Sequence, residues 1–118
     1  NQTLSEGEGL RMGKVYDFVL KNFRKDIPLE QVSDIANLTP QAFCRYFKKH
    51  TEVTFVTFLN ELRINEAQKI LIEGSFESIT EVAYNSGFNS ITNFNRVFKR
   101  MLGIAPKEYL YNYQKNLG

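Results

Sequence analysis

One pattern of residues occurs twice in this chain, and it constrains the fold more than any other feature. Val32 and Leu38 recur fifty positions later as Val82 and Phe88. After one inserted residue the match continues, and it pairs Phe43, Arg45, Phe47 and Lys48 with Phe94, Arg96, Phe98 and Lys99. A repeat of this kind indicates that one supersecondary unit is built twice.

The order of residues within each copy indicates what that unit is. A short apolar segment ends at a residue that tolerates positive φ, Asn37 in the first copy and Gly87 in the second. An apolar residue follows, and a longer helical segment comes next. This order is typical of a helix-turn-helix. A compact helical bundle can contain one such arrangement by accident, but two in matched register are much harder to obtain that way.

Apolar spacing and capping signals predict helices along the whole chain and no strands. Ser78 and Glu81 have the spacing of a capping box, and Thr39-Pro40 is typical of a helix start. We predict an all-α fold with two helix-turn-helix subdomains, each a homeodomain-like three-helical unit, joined by a long central helix. The seven predicted helices are Gly9–Phe23, Leu29–Ala36, Pro40–Lys49, Phe55–Glu73, Ile79–Ser86, Ser90–Met101 and Pro106–Tyr113.

Composition narrows the class of protein. The chain has 118 residues, of which 42% are hydrophobic and 24% charged, as expected for one soluble globular domain. No apolar run approaches the roughly 20 residues that a membrane span requires, and no secretion signal opens the chain. A single cysteine, Cys44, excludes an internal disulfide and favours a cytoplasmic protein.

Basic residues are concentrated in two stretches, although the net charge is only +2. No acid lies between Thr39 and Thr51, or between Val82 and Lys107. The first stretch contains Arg45, Lys48, Lys49 and His50, and the second contains Arg96, Lys99, Arg100 and Lys107. Two basic patches are typical of a protein that binds a polyanion. Basic residues near helix C-termini also complement the helix dipole, so charge alone leaves both interpretations open.

Helical periodicity predicts which side of each second helix faces outward. Phe43, Tyr46 and Phe47 share one face of the first, and Phe94, Val97 and Phe98 share one face of the second. These faces should be buried. The residues expected to point outward are Gln41, Ala42, Cys44, Arg45, Lys48 and Lys49, then Ile91, Thr92, Asn93, Asn95, Arg96 and Lys99.

The outward residues have the chemistry needed to bind double-stranded DNA in the major groove. Gln41 can pair with adenine, and Arg45 and Arg96 can pair with guanine. Thr92 and Asn95 can bond bases or phosphates, and Ile91 can touch a thymine methyl. The predicted phosphate contacts are Thr39, Lys48, Lys49, Ser90, Lys99 and Arg100. The alternative for each residue is an ordinary solvated polar face.

The central helix has a length that suits two grooves. Its 19 residues span about 28 Å at 1.5 Å per residue. Major-groove faces on one side of B-DNA repeat about every 34 Å. We therefore expect one chain to cover two successive grooves at an asymmetric site.

The sequence contains few features that would indicate an enzyme or a metal-binding protein. His50 is the only histidine, no metal-ligand spacing or glycine-rich phosphate loop occurs, and we predict no catalytic residue, metal or cofactor. The alternative to a DNA-binding protein is a helical protein-interaction module that uses Tyr109, Leu110, Tyr111 and Tyr113 as an adhesive edge.

The residues of the second copy resemble a known family. The stretch ITEVAYNSGFNSITNFNRVFKRMLGIAPKEY, residues 79–109, is similar to the signature of the AraC/XylS transcription regulators. Leu29–Lys49 and the segment FLNELRINEAQKIL are similar to the first half of the same domain. Ser33, Asn37 and Leu110 depart from the residues usual in the family at those positions.

This resemblance implies a bacterial transcription regulator, often an activator that contacts RNA polymerase. It implies an upstream effector or dimerisation domain in a longer protein, with residues 1–8 as a linker remnant and 9–118 as the DNA-binding domain. Within it, the first unit would span about 9–53, the connecting helix about 54–74 and the second unit about 75–116. Arg63 matches a family arginine that would contact phosphate or form an internal salt bridge. By position, the DNA-contacting residues are Gln41, Cys44, Arg45, Ile91, Thr92, Asn95 and Arg96.

Overall fold

The computed structural model describes residues 6–117, apart from the side chains of Glu6 and Glu8. Over this range the chain forms seven α-helices and no β-strand. The helices are α1 (Glu6–Asn22), α2 (Leu29–Ile35), α3 (Pro40–Thr51), α4 (Phe55–Glu73), α5 (Ile79–Asn85), α6 (Ile91–Leu102) and α7 (Pro106–Leu117). The all-α prediction is therefore confirmed, and each predicted helix is present.

The largest differences from the predicted bounds lie at the two ends of the chain. α1 begins at Glu6, so residues 6–8, which we had assigned to a linker, are helical. No proline separates them from Gly9, and the helical hydrogen bonding extends back through them. Residues 1–5 of the predicted linker lie outside the described range. At the other end α7 continues to Leu117, past the predicted end at Tyr113.

The described chain divides into two compact units. The first contains the residues up to Phe23 together with Ile27–Leu59, and the second contains Arg24–Asp26 together with the residues from Asn60 onward. α4 contributes its first turns to one unit and the rest to the other.

The turn that connects α2 to α3 in the first unit has the same structure as the turn that connects α5 to α6 in the second. The amide of Leu38 donates to the carbonyl of Ser33 at 2.9 Å, and the amide of Asn37 donates to that of Asp34 at 3.0 Å. In the second unit Phe88 donates to Ala83 at 3.0 Å, and Gly87 to Tyr84 at 3.1 Å. These bonds form a Schellman motif, whose turn residue has positive φ: 61° at Asn37 and 110° at Gly87. The sequence repeat is thus a structural repeat.

The longer helix of each unit is also capped in the same way at both ends. The side chains of Thr39 and Ser90 accept hydrogen bonds from the amides of Ala42 and Asn93, at 3.2 and 3.1 Å. At the C-termini, Glu52 and Gly103 adopt positive φ of 66° and 84°, and their amides donate to Lys48 and Lys99 at 2.8 Å in both cases. Matched caps fix the start and end of α3 and α6 relative to the preceding turn.

Phenylalanine rings form the core of the first unit. Phe43 and Phe47 are fully buried, and both pack edge-on against Phe55 with ring centroids 5.3 Å apart. The ring of Tyr16 packs 5.7 Å from Phe58, and burial raises the pKa of its phenol. The buried α1 residues Met12, Val15 and Val19 complete this core.

The second unit has its own core. Phe94 and Phe98 are fully buried, with ring centroids 5.5 Å apart, and Phe98 also packs edge-on against Tyr109 at 5.5 Å. Ile64 and Leu71 of α4 close this core from another side. The α1–α2 loop is tied to α4 by an ion pair between Arg24 and Glu66 at 3.1 Å.

The two C-caps allow a test of backbone strain. Glu52 is exposed and holds a left-handed conformation that costs about 1–2 kcal/mol for a residue with a Cβ. Glu52→Gly removes this cost, but glycine has more conformational freedom in the unfolded chain, which offsets part of the gain. We therefore expect the variant to raise the free energy of unfolding by about 0.5–1 kcal/mol, measured by urea denaturation.

Gly103 supplies the matched control. A Cβ added there meets no atom within 4 Å, so Gly103→Ala changes only the backbone preference. We expect that variant to lose about 1 kcal/mol. A stabilising effect of Gly103→Ala, or a destabilising effect of Glu52→Gly, would contradict this account.

Candidate nucleic-acid interface

α3 presents a polar, basic face to solvent. Phe43 and Phe47 face the core, Tyr46 is half-buried, and the ring of Tyr46 packs 4.5 Å from that of His50. The predicted division of this helix is confirmed except at two residues: Tyr46, expected to be buried, and Ala42, expected to face outward, are both half-buried. Its exposed residues are Gln41, Cys44, Arg45, Lys48 and Lys49.

α6 is divided in the same way. Phe94, Val97 and Phe98 are buried, as predicted. The exposed residues are Thr92, Asn95, Arg96, Lys99 and Arg100. Since α3 and α6 contain no acid, each helix carries only positive formal charge on its exposed side.

Ile91, which we had placed among the outward residues, is only partly exposed. Its side chain is half-buried and packs against the core of the second unit. Ile91 is the first residue of α6, and helical side chains lean toward the N-terminus. It therefore covers the edge of the core near the turn, which leaves less of it available for a thymine methyl.

Asn93, which we had placed among the outward residues without a role, is half-buried and is the hydrogen-bond partner of Arg96. The guanidinium of Arg96 donates a hydrogen bond to the side-chain oxygen of Asn93 one turn earlier. The position equivalent to Asn93 in α3 is Ala42, so Arg45 has no such partner on its own helix. The spacing of three residues was visible in the sequence, but the bond was not.

Thr39 and Ser90 are the N-cap residues that directly precede α3 and α6. Each side-chain oxygen accepts an amide of its own helix, so the hydroxyl hydrogen remains for donation to another acceptor. The amides of the first helical turn also make each N-terminus favourable for an anion. This geometry suits the phosphate contacts predicted for both residues.

Arg63 lies on α4, in the second unit. Its guanidinium donates to the carbonyl oxygen of Lys25 at 2.9 Å. Burial lowers the pKa of Arg63, and the charge of Asp26 acts in the opposite direction. The sequence left two roles open for Arg63, a phosphate contact or an internal salt bridge. Its observed hydrogen bond is internal, but the partner is a main-chain carbonyl and not a carboxylate.

Two of the four residues in the edge that the alternative function would use pack against the core. Tyr109 and Leu110 pack against the core of the second unit, and the Tyr109 hydroxyl accepts a hydrogen bond from Gln68 at 3.2 Å. Tyr111 is exposed and Tyr113 half-buried. Within the described part of the chain, no three His, Cys, Asp or Glu side chains are grouped as metal ligands would be. No helix there is long and apolar enough to cross a membrane.

Comparison with known proteins decides the family. A profile of the helix-turn-helix domain matches residues 32–112, which include both repeats. The chain belongs to the AraC family of helix-turn-helix transcription regulators. The expectation drawn from the resemblance of residues 79–109 is thus confirmed.

Relatives of this AraC-family chain are longer proteins. It is 29% identical to the transcriptional activator RhaS of Enterobacter sp. (strain 638), over 87% of this chain and 37% of RhaS. It is 31% identical to the HTH-type transcriptional regulator YpdC of Escherichia coli, over 85% of this chain and 35% of YpdC. The chain therefore spans little more than a third of these relatives.

Solved structures share the fold. The DNA-binding domain of the transcriptional factor AdpA, solved in complex with a target DNA, superposes with a TM-score of 0.81 at 27% identity, over 90% of this chain and 95% of that one. The C-terminal domain of AraT, a response regulator from Geobacillus stearothermophilus, has a TM-score of 0.80 at 24% identity, over 94% of this chain and 88% of that one. The second likeness concerns the fold alone.

Proposed function

We propose that this chain is the sequence-specific DNA-binding part of a bacterial transcription regulator, and that α3 and α6 enter successive major grooves of one duplex. The observation that carries the proposal is the matched pair of basic, exposed helix faces, each set on the same Schellman turn and the same side-chain cap. An α-helix fits the major groove of B-DNA, where all four base pairs differ. That AdpA was solved with its target DNA adds to the case.

The residues divide into two groups by their position along each helix. Gln41, Arg45, Thr92, Asn95 and Arg96 lie in the first half or the middle and contact bases, with Cys44 and Ile91 beside them. Lys48, Lys49, Lys99 and Arg100 lie in the second half and, with the caps Thr39 and Ser90, contact phosphates. Phosphate contacts set the register of the protein on DNA, and base contacts determine the sequence.

The remaining assignments concern the whole protein. We expect this chain to be joined to an upstream domain that binds an effector or mediates dimerisation, because the matched relatives are much longer. We also expect the protein to act in the cytoplasm and to contact RNA polymerase. The name of RhaS states that this relative is a transcriptional activator, and we propose that the present protein activates transcription as well. We assign it no catalytic role and no cofactor.

Salt dependence tests whether DNA is the partner. With roughly four phosphate contacts from the basic side chains, the slope of log K against log salt is expected to be about −3.6. Affinity should then fall roughly 150-fold between 50 and 200 mM salt, measured by fluorescence anisotropy on a duplex selected from a random pool. An affinity that hardly changes with salt would contradict DNA binding and favour an apolar protein partner.

A footprint on the selected duplex tests the use of both helices. One monomer should protect a continuous, non-palindromic stretch of about two helical turns. Protection of a single groove would refute simultaneous binding by α3 and α6, while it would leave DNA binding by one unit in place.

A further inference from the structure

One cation of the first unit, Arg11 on α1, lies outside the two basic stretches and has no part in the function proposed above. The Cζ atom of its guanidinium lies over the ring of Tyr46 on α3, 5.4 Å from the ring centroid. Both side chains are half-buried. This is the geometry of a cation–π contact, in which the face of the ring attracts the charge. A cation carried by α1 is thereby held against the side of α3.

The position of Tyr46 on α3 determines where this charge lies relative to DNA. Successive residues of an α-helix are about 100° apart, so Tyr46 lies to one side of Arg45, and Lys49 projects between the two. The major groove is about 12 Å wide, which is hardly wider than an α-helix with its side chains. When Arg45 points toward the bases, the side of α3 that carries Tyr46 therefore faces one of the two phosphate backbones.

The repeat shows that the fold does not require an arginine beside the second helix of a unit. Buried residues of α1 have counterparts 52 positions later in α4: Met12 and Ile64, Val15 and Ala67, Val19 and Leu71. The same offset pairs Arg11 with Arg63, which donates to a main-chain carbonyl. The residue of α6 that is equivalent to Tyr46 is Val97, which is buried and has no ring to hold a cation. The contact between Arg11 and Tyr46 is therefore specific to the first unit.

A guanidinium held in this way is suited to phosphate. It has five N–H donors and can bind two phosphate oxygens at once. A side chain already held on a ring also loses less conformational freedom when it binds. We propose that Arg11 is a further phosphate contact of the first unit and that Tyr46 is its positioning residue. This inference rests on the proposed function, because the phosphate belongs to the duplex that α3 enters.

The salt dependence of duplex binding tests the charge of Arg11. Counted with the four basic side chains above, Arg11 brings the expected slope of log K against log salt to about −4.5. Arg11→Met keeps an apolar side chain against the ring and removes the charge. It should weaken binding about eightfold at about 100 mM salt, equally on all sequences, and make the slope shallower by about 0.9.

Two further variants serve as controls for Arg11→Met. Arg11→Lys keeps the charge and should retain the slope of the parent chain. Lys21→Met removes the same charge near the other end of α1, at an exposed residue about 15 Å along the helix from Arg11, and should also leave the slope unchanged. An unchanged slope in Arg11→Met, or an equal change in Lys21→Met, would overturn the assignment of Arg11.

A double-mutant cycle tests the role of Tyr46. Tyr46→Leu removes the ring and should weaken duplex binding by a smaller factor than Arg11→Met does, with a partial change in the slope. In a chain that already carries Arg11→Met, the same substitution should weaken binding no further, because no cation is left to position. An equal loss in both backgrounds would show that Tyr46 acts on the fold of the first unit, and it would refute the positioning role.

Neutral phosphates locate the contact on DNA. Single methylphosphonates are placed in turn at each phosphate of the selected duplex. At one position the replacement should weaken binding of the parent chain and leave that of Arg11→Met unchanged. If no position behaves in this way, Arg11 contacts no phosphate, while DNA binding by the chain stands. If the parent chain binds no duplex at all, the proposed function fails and the contact of Arg11 fails with it.

Discussion

Replacing Phe98 by alanine is expected to lower the free energy of unfolding by about 3–5 kcal/mol. Phe98 is fully buried and packs against two rings, Phe94 and Tyr109, both 5.5 Å away. Truncation removes these contacts and leaves a cavity that the surrounding helices fill only in part. Because small domains are stable by only about 5–15 kcal/mol, a large fraction of the stability is lost. Urea denaturation followed by circular dichroism measures the change.

Tyr111→Ala serves as the control for this prediction. Tyr111 exposes 63% of its surface on α7, and its removal should change the free energy of unfolding by no more than about 0.5 kcal/mol. If Phe98→Ala cost as little as Tyr111→Ala, the second unit would not have the core described above.

The second large effect concerns DNA. Arg96→Ala should weaken binding to the selected duplex by about 1–3 kcal/mol and relax the preference at one base pair. A guanidinium that pairs with guanine in two places discriminates strongly against other bases. The hydrogen bond to Asn93 fixes the direction of Arg96 before DNA arrives. Asn93→Ala should therefore weaken the same preference by a smaller amount, measured by anisotropy on duplexes altered at single positions.

Lys99→Ala provides the comparison within α6. Lys99 is exposed three residues after Arg96, and as a phosphate contact its loss should weaken binding equally on all sequences. The slope of log K against log salt should also become shallower by about 0.9. If Arg96→Ala behaved in this uniform way as well, Arg96 would be a phosphate contact and the assignment of bases to α6 would be wrong.

Much of the fold could be predicted because the repeat and the helical period carry the same information. Phe43 and Phe47, and their equivalents Phe94 and Phe98, are fully buried where the spacing placed them. The turn at Asn37 was also predictable, since a residue tolerant of positive φ followed by an apolar one indicates a helix C-terminus. These signals are local, and tertiary packing agrees with them.

Periodicity was less informative where a helix changes partners or ends. In α4 the buried residues Phe55 and Leu59 lie in the first unit, whereas Ile64, Ala67 and Leu71 lie in the second. The two sets lie on different sides of α4, so a single apolar stripe does not account for both. Ile91 is less exposed than predicted for a related reason, because a face assigned by angle does not account for the lean of a first-turn side chain.

Side-chain hydrogen bonds at loops were predicted only in outline. One half of the capping box at Ser78 is present: the Ser78 side chain accepts from the amide of Glu81 at 3.1 Å. The carboxylate of Glu81, however, accepts from the amide of Glu77 instead of from Ser78 itself, also at 3.1 Å. Sequence spacing specifies which residues can meet, and the backbone of the preceding loop decides which amide is in reach.

In both units, the residues that form the turn and the N-cap differ from the exposed residues that we propose contact the bases of DNA. The start of each recognition helix, α3 or α6, is fixed by hydrogen bonds of two residues before it: Leu38 and Thr39, or Phe88 and Ser90. These bonds involve none of the exposed positions 41, 45, 92 and 96. Combinatorial libraries randomised at those four positions should therefore keep the native scaffold while their preferred duplex changes. The DNA sequence preference could in this way be changed separately for the groove contacted by α3 and the groove contacted by α6.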